Sequence, residues 1–147
     1  MQGQVPGTEI FYSIQGNILR PGSVVPNAVQ AFVKSSGSLT DRAMAAMEAA
    51  DGSGGDSRCA CPPWPNDGSK PQIPCDGKTT HIAYILMAEQ NDTSGDSHNN
   101  GKYTMYITVS QPDHGPNAIK QGENLNPVKT LRMRYDVWRK SQPATFK

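Results

Sequence analysis

"YSIQGNIL", Tyr12 to Leu19, begins as an apolar, strand-like run, breaks at Gln15-Gly16-Asn17, and resumes with Ile18 and Leu19. The residues before the break, "TEIFYSIQ" (8–15), read as a strand. Alternation places Ile10, Tyr12 and Ile14 on one face, with Phe11, Ser13, Gln15 and Asn17 on the other if the strand continues. Two amides beside a glycine, where another group can come close, are suited to donate to a ligand or a developing oxyanion. The plainer reading is that they satisfy backbone groups in a turn. The local sequence leans to the turn.

Past Pro21-Gly22 the pattern changes period. "VVPNAVQAFVKS" predicts a helix with Pro26 in its first turn and an apolar stripe of Ala28, Val29, Phe32 and Val33. A second helix follows, started by Ser38 with Asp41 three residues on, a capping box with Asp in the usual Glu place. Leu39, Ala43, Met47 and Ala50 are its expected buried side, and Gly52 its stop. Residues 51–78 read as one long loop, which in a compact domain is functional, cross-linked or mobile. Within it "GGDSR", Gly54 to Arg58, holds an acid and a base; Arg58 could fork onto a substrate carboxylate. The alternative is an internal ion pair between Asp56 and Arg58 on a solvated loop. Neither phosphate-loop spacing is present.

"THIAYILMAE" (80–89) is nearly unbroken apolar sequence, the pattern of a strand covered on both faces. "KYTMYITVS" (102–110) alternates, so one of its faces is wetter. Asn126-Pro127 opens a last helix, with Val128, Leu131, Tyr135 and Trp138 as its core stripe. The order is strand, two helices, loop, two strands, helix, which is an α+β layered arrangement. Three strands make a thin sheet for a strand that needs two covers. Part of the sheet is therefore expected from outside this chain.

Bulk properties exclude several function classes. The chain has 147 residues, enough for one domain with a real core, and a net charge of +1. No global field favours nucleic acid. The seven basic residues from Lys120 onward read as a solvated helix face. No run is long enough to span a membrane, and "MQGQVPGTEI" has neither the basic start nor the apolar centre of a signal peptide. The three cysteines, Cys59, Cys61 and Cys75, lie in a Pro/Gly-rich stretch that cannot build its own core. A disulfide fits best, Cys61 with Cys75 or with Cys59 taking one place, followed by free thiols. Zinc with His81 as fourth ligand ranks last, because C-x-C with a distant third Cys is not a usual zinc spacing. His98 and His114 lack metal-ligand spacing too, so neither metal nor cofactor is expected.

Three segments together resemble one family. "YSIQGNILRPGSVVPNAVQAF" is similar to its strand, Q-G-N and helix; "LTDRAMAAMEAADGSGGDSR" to its second helix and G-G-D-x-R loop; "NPVKTLRMRYDVWR" to its closing helix. The family is the largely bacterial, often exported domain of unknown function "ten twenty-eight", placed among the Ntn hydrolases. The resemblance implies a layered αββα fold and amide hydrolysis by a Thr, Ser or Cys at a processed chain start, with its own α-amino group as base. It implies pocket roles for Gln15, Asn17, Asp56 and Arg58. It also implies that residues 1–147 form the carboxy-terminal half of the domain, with an insertion at about 57–78. The nucleophile would then lie in a missing amino-terminal half or second chain, leaving no catalytic residue here. An extracellular or periplasmic homo-oligomer is the matching expectation. The competing one is a non-catalytic, fibre-like assembly subunit using exposed strand edges.

Overall fold

The computed structural model describes residues 1–59, 77–93, 101–110 and 116–143. They form an α+β arrangement of three helices and two small antiparallel sheets, in two compact units, Met1–His81 and Ile82–Phe146. Among the described residues no helix is long and apolar enough to cross a membrane.

The first unit opens with a hairpin that the sequence pattern alone did not reveal. Strand β1 (Gln2–Gln4) pairs antiparallel with β2 (Phe11–Ser13), Gly3 opposite Tyr12. Val5-Pro6-Gly7-Thr8 turns the chain, with the Thr8 amide donating to the Val5 carbonyl at 3.2 Å and Gly7 at φ 73°. Pro second and Gly third in such a turn match its dihedrals. Helix α1 (Val24–Lys34) buries Val24, Ala28, Val29 and Phe32, close to the expected stripe. Helix α2 (Leu39–Gly52) begins with the expected capping box: the Asp41 amide donates to Ser38 Oγ at 3.2 Å, and the Ser38 amide to Asp41 Oδ2 at 2.9 Å.

The face of α2 differs from the expectation. Thr40, Met44 and Ala46 are its buried residues, while Leu39 is 46% exposed. Alanines on several sides give the helix no strong apolar stripe, so its neighbours choose the face. Thr40 is reconciled with burial by a 2.8 Å hydrogen bond with the Ser38 hydroxyl. Arg42 then donates from Nη1 to the Phe32 and Val33 carbonyls at 3.0 and 3.2 Å, linking α2 to the end of α1. Val5, Ala28, Phe32 and Ala46 form the core between hairpin and helices, with Ile10, Tyr12 and Ile14 packed on it. The inward face of the opening strand is therefore as its alternation predicts.

In the second unit β3 (Ile82–Met87) pairs antiparallel with β4 (Met105–Ser110), Ala83 opposite Val109 and Tyr84 opposite Thr108. Helix α3 (Pro127–Ser141) packs on both strands and is capped as expected, Asn126 Oδ1 accepting from the Val128 and Lys129 amides. Ala83, Ile85, Met105 and Val109 are buried, with Leu131 and Tyr135 from the helix. Ile82 and Tyr84 are each 58% exposed, so β3 is not covered on both faces as its composition predicts.

Arg134 and Glu123 lock this unit. Arg134 Nε and Nη2 donate to the two Glu123 oxygens at 2.8 and 2.7 Å. Its remaining donors reach the Thr108 carbonyl at 2.8 Å, the Asn117 carbonyl at 3.3 Å and the Ala118 carbonyl at 2.6 Å. The guanidinium hydrogen bonds hold the Glu123 carboxyl at about 2, against some opposing burial.

Candidate functional site

The two motifs singled out by resemblance meet in the first unit. After β2 the chain runs through Gln15-Gly16-Asn17 and pairs, at Leu19, antiparallel with Asp56. The Arg20 amide donates to the Gly55 carbonyl at 2.9 Å, and the Ser57 amide to the Ile18 carbonyl at 2.8 Å. Asn17 and Arg58 thus stand at the same end of one short backbone pairing. The sequence placed these motifs about forty residues apart; hydrogen bonds bring them together.

Two glycines make the approach possible. A Cβ on Gly16 would collide with the Leu19 side chain. Gly55 sits at φ 54°, and a Cβ there would meet the Thr79 carbonyl oxygen. The same Thr79 carbonyl accepts from the Asp56 amide at 2.8 Å, and the Thr79 hydroxyl donates to Asp51 at the end of α2. The G-G-D-S-R loop is therefore held between residues 18–20 on one side and Thr79 on the other.

Between the two motifs lies a strained residue. Ile18 adopts φ 53°, and it is the one non-glycine residue with positive φ among those described. A β-branched side chain in that region costs roughly 1–2 kcal/mol, and such strain concentrates at binding and catalytic sites. Gln15 and Asn17, on either side of Gly16, are exposed, and among the described residues neither amide side chain has a hydrogen-bond partner. The turn reading required them to satisfy nearby backbone. They do not.

Asp56 and Arg58 behave differently. Arg58 Nε donates to Asp56 Oδ1 at 2.9 Å and Nη2 to Oδ2 at 2.5 Å, while the Arg58 amide reaches Oδ1 at 2.8 Å. This is the internal ion pair. Burial pushes the Asp56 carboxyl up, but hydrogen bonds from Arg58 outweigh it and leave the carboxyl below its ordinary value. The same pairing raises Arg58. Asp56 is 21% exposed and Arg58 61%, so the outer side of the guanidinium faces solvent.

Next to this pair stands Cys59, weighed above for a disulfide and, with His81, for zinc. Cys59 is buried, and its sulfur lies 3.4 Å from Nδ1 of His81. The Cys61–Cys75 pairing lies outside the described residues, as does the remainder of the expected insertion from 60 to 76. Among the described residues no group of three His, Cys, Asp or Glu could hold a metal ion.

Residues 4–61 match the model of a family described as a family of unknown function (DUF1028). The match covers β2, both helices and the two paired motifs, and only the last residue of β1; it stops before β3, and the likeness of α3 to a closing helix is no part of it. No curated protein matches the chain, and no solved structure does.

Proposed function

We propose that this chain supplies one wall of the substrate site of an exported Ntn-type amide hydrolase whose nucleophile lies outside these 147 residues. The observation that carries the reading is the pairing of Ile18–Arg20 with Gly55–Ser57, inside the stretch that matches the family. It presents two unengaged amides at a strained turn. An amide NH₂ fixed at such a turn can donate to the oxygen of a scissile carbonyl as negative charge develops on it, and a preorganised donor of that kind is worth roughly 3 kcal/mol of transition-state stabilisation. Gln15 and Asn17 take that role. Asp56 fixes the Arg58 fork, whose outer edge orients a polar substrate group. The attacking Thr, Ser or Cys and its α-amino base come from a preceding segment or a second chain, and the two small sheets belong to the layered αββα sandwich that those residues complete.

The protein from its native source tests this. A heavier species, or a second chain beginning with Thr, Ser or Cys, together with amide hydrolysis reduced about a hundredfold in kcat by Asn17→Ala or Gln15→Ala, is the expected result. A lone active chain, or full activity in both variants, rejects it.

A second reading has its own observation. Ile82 and Tyr84 leave an apolar strip on the outer face of β3, which suits a subunit that assembles through its sheet. Fibres or large ordered particles on size exclusion and electron microscopy would favour it; a small discrete oligomer favours the hydrolase.

A further inference from the structure

We propose that the substrate of this site is an N-acyl amino acid, an amide with an apolar acyl group whose leaving amine carries a free carboxylate, and that Arg58 binds that carboxylate. The inference rests on the hydrolase reading above and adds which amides are taken. The guanidinium is the first argument. One of its edges is engaged by Asp56, with Nε donating at 2.9 and 3.1 Å and Nη2 at 2.5 Å. Among the described residues Nη1 and the outward N–H of Nη2 have no acceptor, and the side chain is 61% exposed. These donors form a second planar fork, which matches a carboxylate with two parallel hydrogen bonds. Asp56 holds the fork in place before a ligand arrives, so less side-chain freedom is lost on binding.

Position is the second argument. Leu19 pairs with Asp56 and the Ser57 amide donates to the Ile18 carbonyl, so Asn17 and Arg58 both adjoin the last bonded pair. Opposed residues of an antiparallel pair stand roughly 5 Å apart. In an N-acyl amino acid a single carbon separates the amide nitrogen from the carboxylate. A carbonyl oxygen held by the amides of Gln15 and Asn17 therefore has its carboxylate within reach of the fork. Ile18 is the third argument. It is 51% exposed at φ 53°, an apolar side chain turned to solvent beside the two amides. Glycine or asparagine would take that backbone conformation at less cost. An apolar acyl chain laid against Ile18 removes both surfaces from water. The reaction consumes one water: the carbon–nitrogen bond breaks, the acyl carbon gains the hydroxyl, and the nitrogen of the released amino acid gains the proton.

The complete protein, assayed on N-octanoylalanine, its methyl ester, N-acetylalanine and the succinic acid monoamide of octylamine, tests this. N-octanoylalanine should have a kcat/KM about tenfold or more above its methyl ester, which differs only in lacking the charge. Arg58→Met should bring the free acid down toward the ester, and Arg58→Lys, with the charge but not the fork, should recover little of the ratio. Ile18→Asn, which suits a positive φ, should narrow the preference for octanoyl over acetyl severalfold. Equal rates on acid and ester, a ratio that survives Arg58→Met, or a preference for the succinic monoamide overturns this inference and leaves the hydrolase standing. Hydrolysis of none of the four amides, or hydrolysis that Gln15→Ala and Asn17→Ala both leave intact, rejects the hydrolase reading and this inference with it.

Discussion

Two arginines, one in each unit, hold a carboxylate in a bidentate grip, and the rest of their surroundings differ. Arg134 is 18% exposed, and beyond Glu123 it donates to three backbone carbonyls around the edge of β4. Arg58 is 61% exposed, grips Asp56, and turns its outer edge to solvent. The first guanidinium closes a structure; the second is held ready at a surface. The same contrast extends to the neighbours. In the second unit Asp92 accepts from the Glu89 amide and from both the amide and hydroxyl of Thr104, so its side chain is absorbed in holding the β3–β4 connection. In the first unit, among the described residues, the side chains of Gln15 and Asn17 have no hydrogen-bond partner beside a strained Ile18. Polar side chains that complete a fold are engaged by it. Exposed amides left unengaged next to strain are the groups assigned to a ligand under the proposed function.

The largest effect expected is from Arg134→Met. It leaves Glu123 and three carbonyls without their donor, and removing one partner of a mostly buried pair costs about 3 kcal/mol. Hydrogen exchange should show lost protection in β4 and α3, with α1 and α2 unaffected. Equal loss in all four would break the comparison, because the units would then unfold as one.

Acid should reach the same lock without mutation. Glu123 has its folded value held at about 2 against an ordinary 4.5. A depressed carboxyl contributes stability that is complete above about pH 4.5 and is lost as pH falls through about 2. That contribution is on the order of 3 kcal/mol. Unfolding free energy followed from pH 6 to pH 2 should fall across that window, and Glu123→Gln should flatten it.

Gly55→Ala sharpens the comparison from the other side. A methyl group there meets the Thr79 carbonyl and must accept φ 54°, at a cost of about 1–2 kcal/mol. The penalty should appear as lost protection of the Arg20 and Ser57 amides, which carry the pairing between the motifs. Unchanged protection at those amides would mean that the pairing does not depend on the loop's path.

Much of this fold was legible because its signals are local. Ser38 with Asp41, Asn126 with Pro127 and the alternation of Ile10, Tyr12 and Ile14 each depend on residues a few positions apart, and each has its predicted role. The β1 hairpin had a signal too, Pro6-Gly7 at the centre of a turn, but a three-residue strand is too short to show a period. What the sequence could not give was which surface covers which. An apolar run does not reveal that Tyr84 faces outward, and an alanine-rich helix does not choose between Leu39 and Met44. The candidate site was half legible for the same reason. Its four residues stood out by motif, and so did the Asp56–Arg58 pair, but the backbone partners of Asp56 and the neighbour of Cys59 are far away in sequence. A separation of 22 positions carries no local mark that His81 will stand beside Cys59.

The smallest expected effect on stability is also the one that decides how Arg58 is understood. An exposed ion pair gains little over two hydrated ions, since solvent screens the attraction and two long side chains lose freedom to make it. Arg58→Met should therefore leave the melting temperature of the chain unmoved within experimental scatter, where Arg134→Met shifts it by many degrees. If the solvent-facing edge of Arg58 orients substrate, the same Arg58→Met change in the complete protein should raise KM for a polar amide substrate severalfold. Arg58→Lys, which keeps the charge and loses the fork, should recover little of it. A variant that is both unmoved in stability and unchanged in KM would reduce Asp56–Arg58 to a surface ion pair. The candidate site would then rest on Gln15, Asn17 and the strain at Ile18 alone.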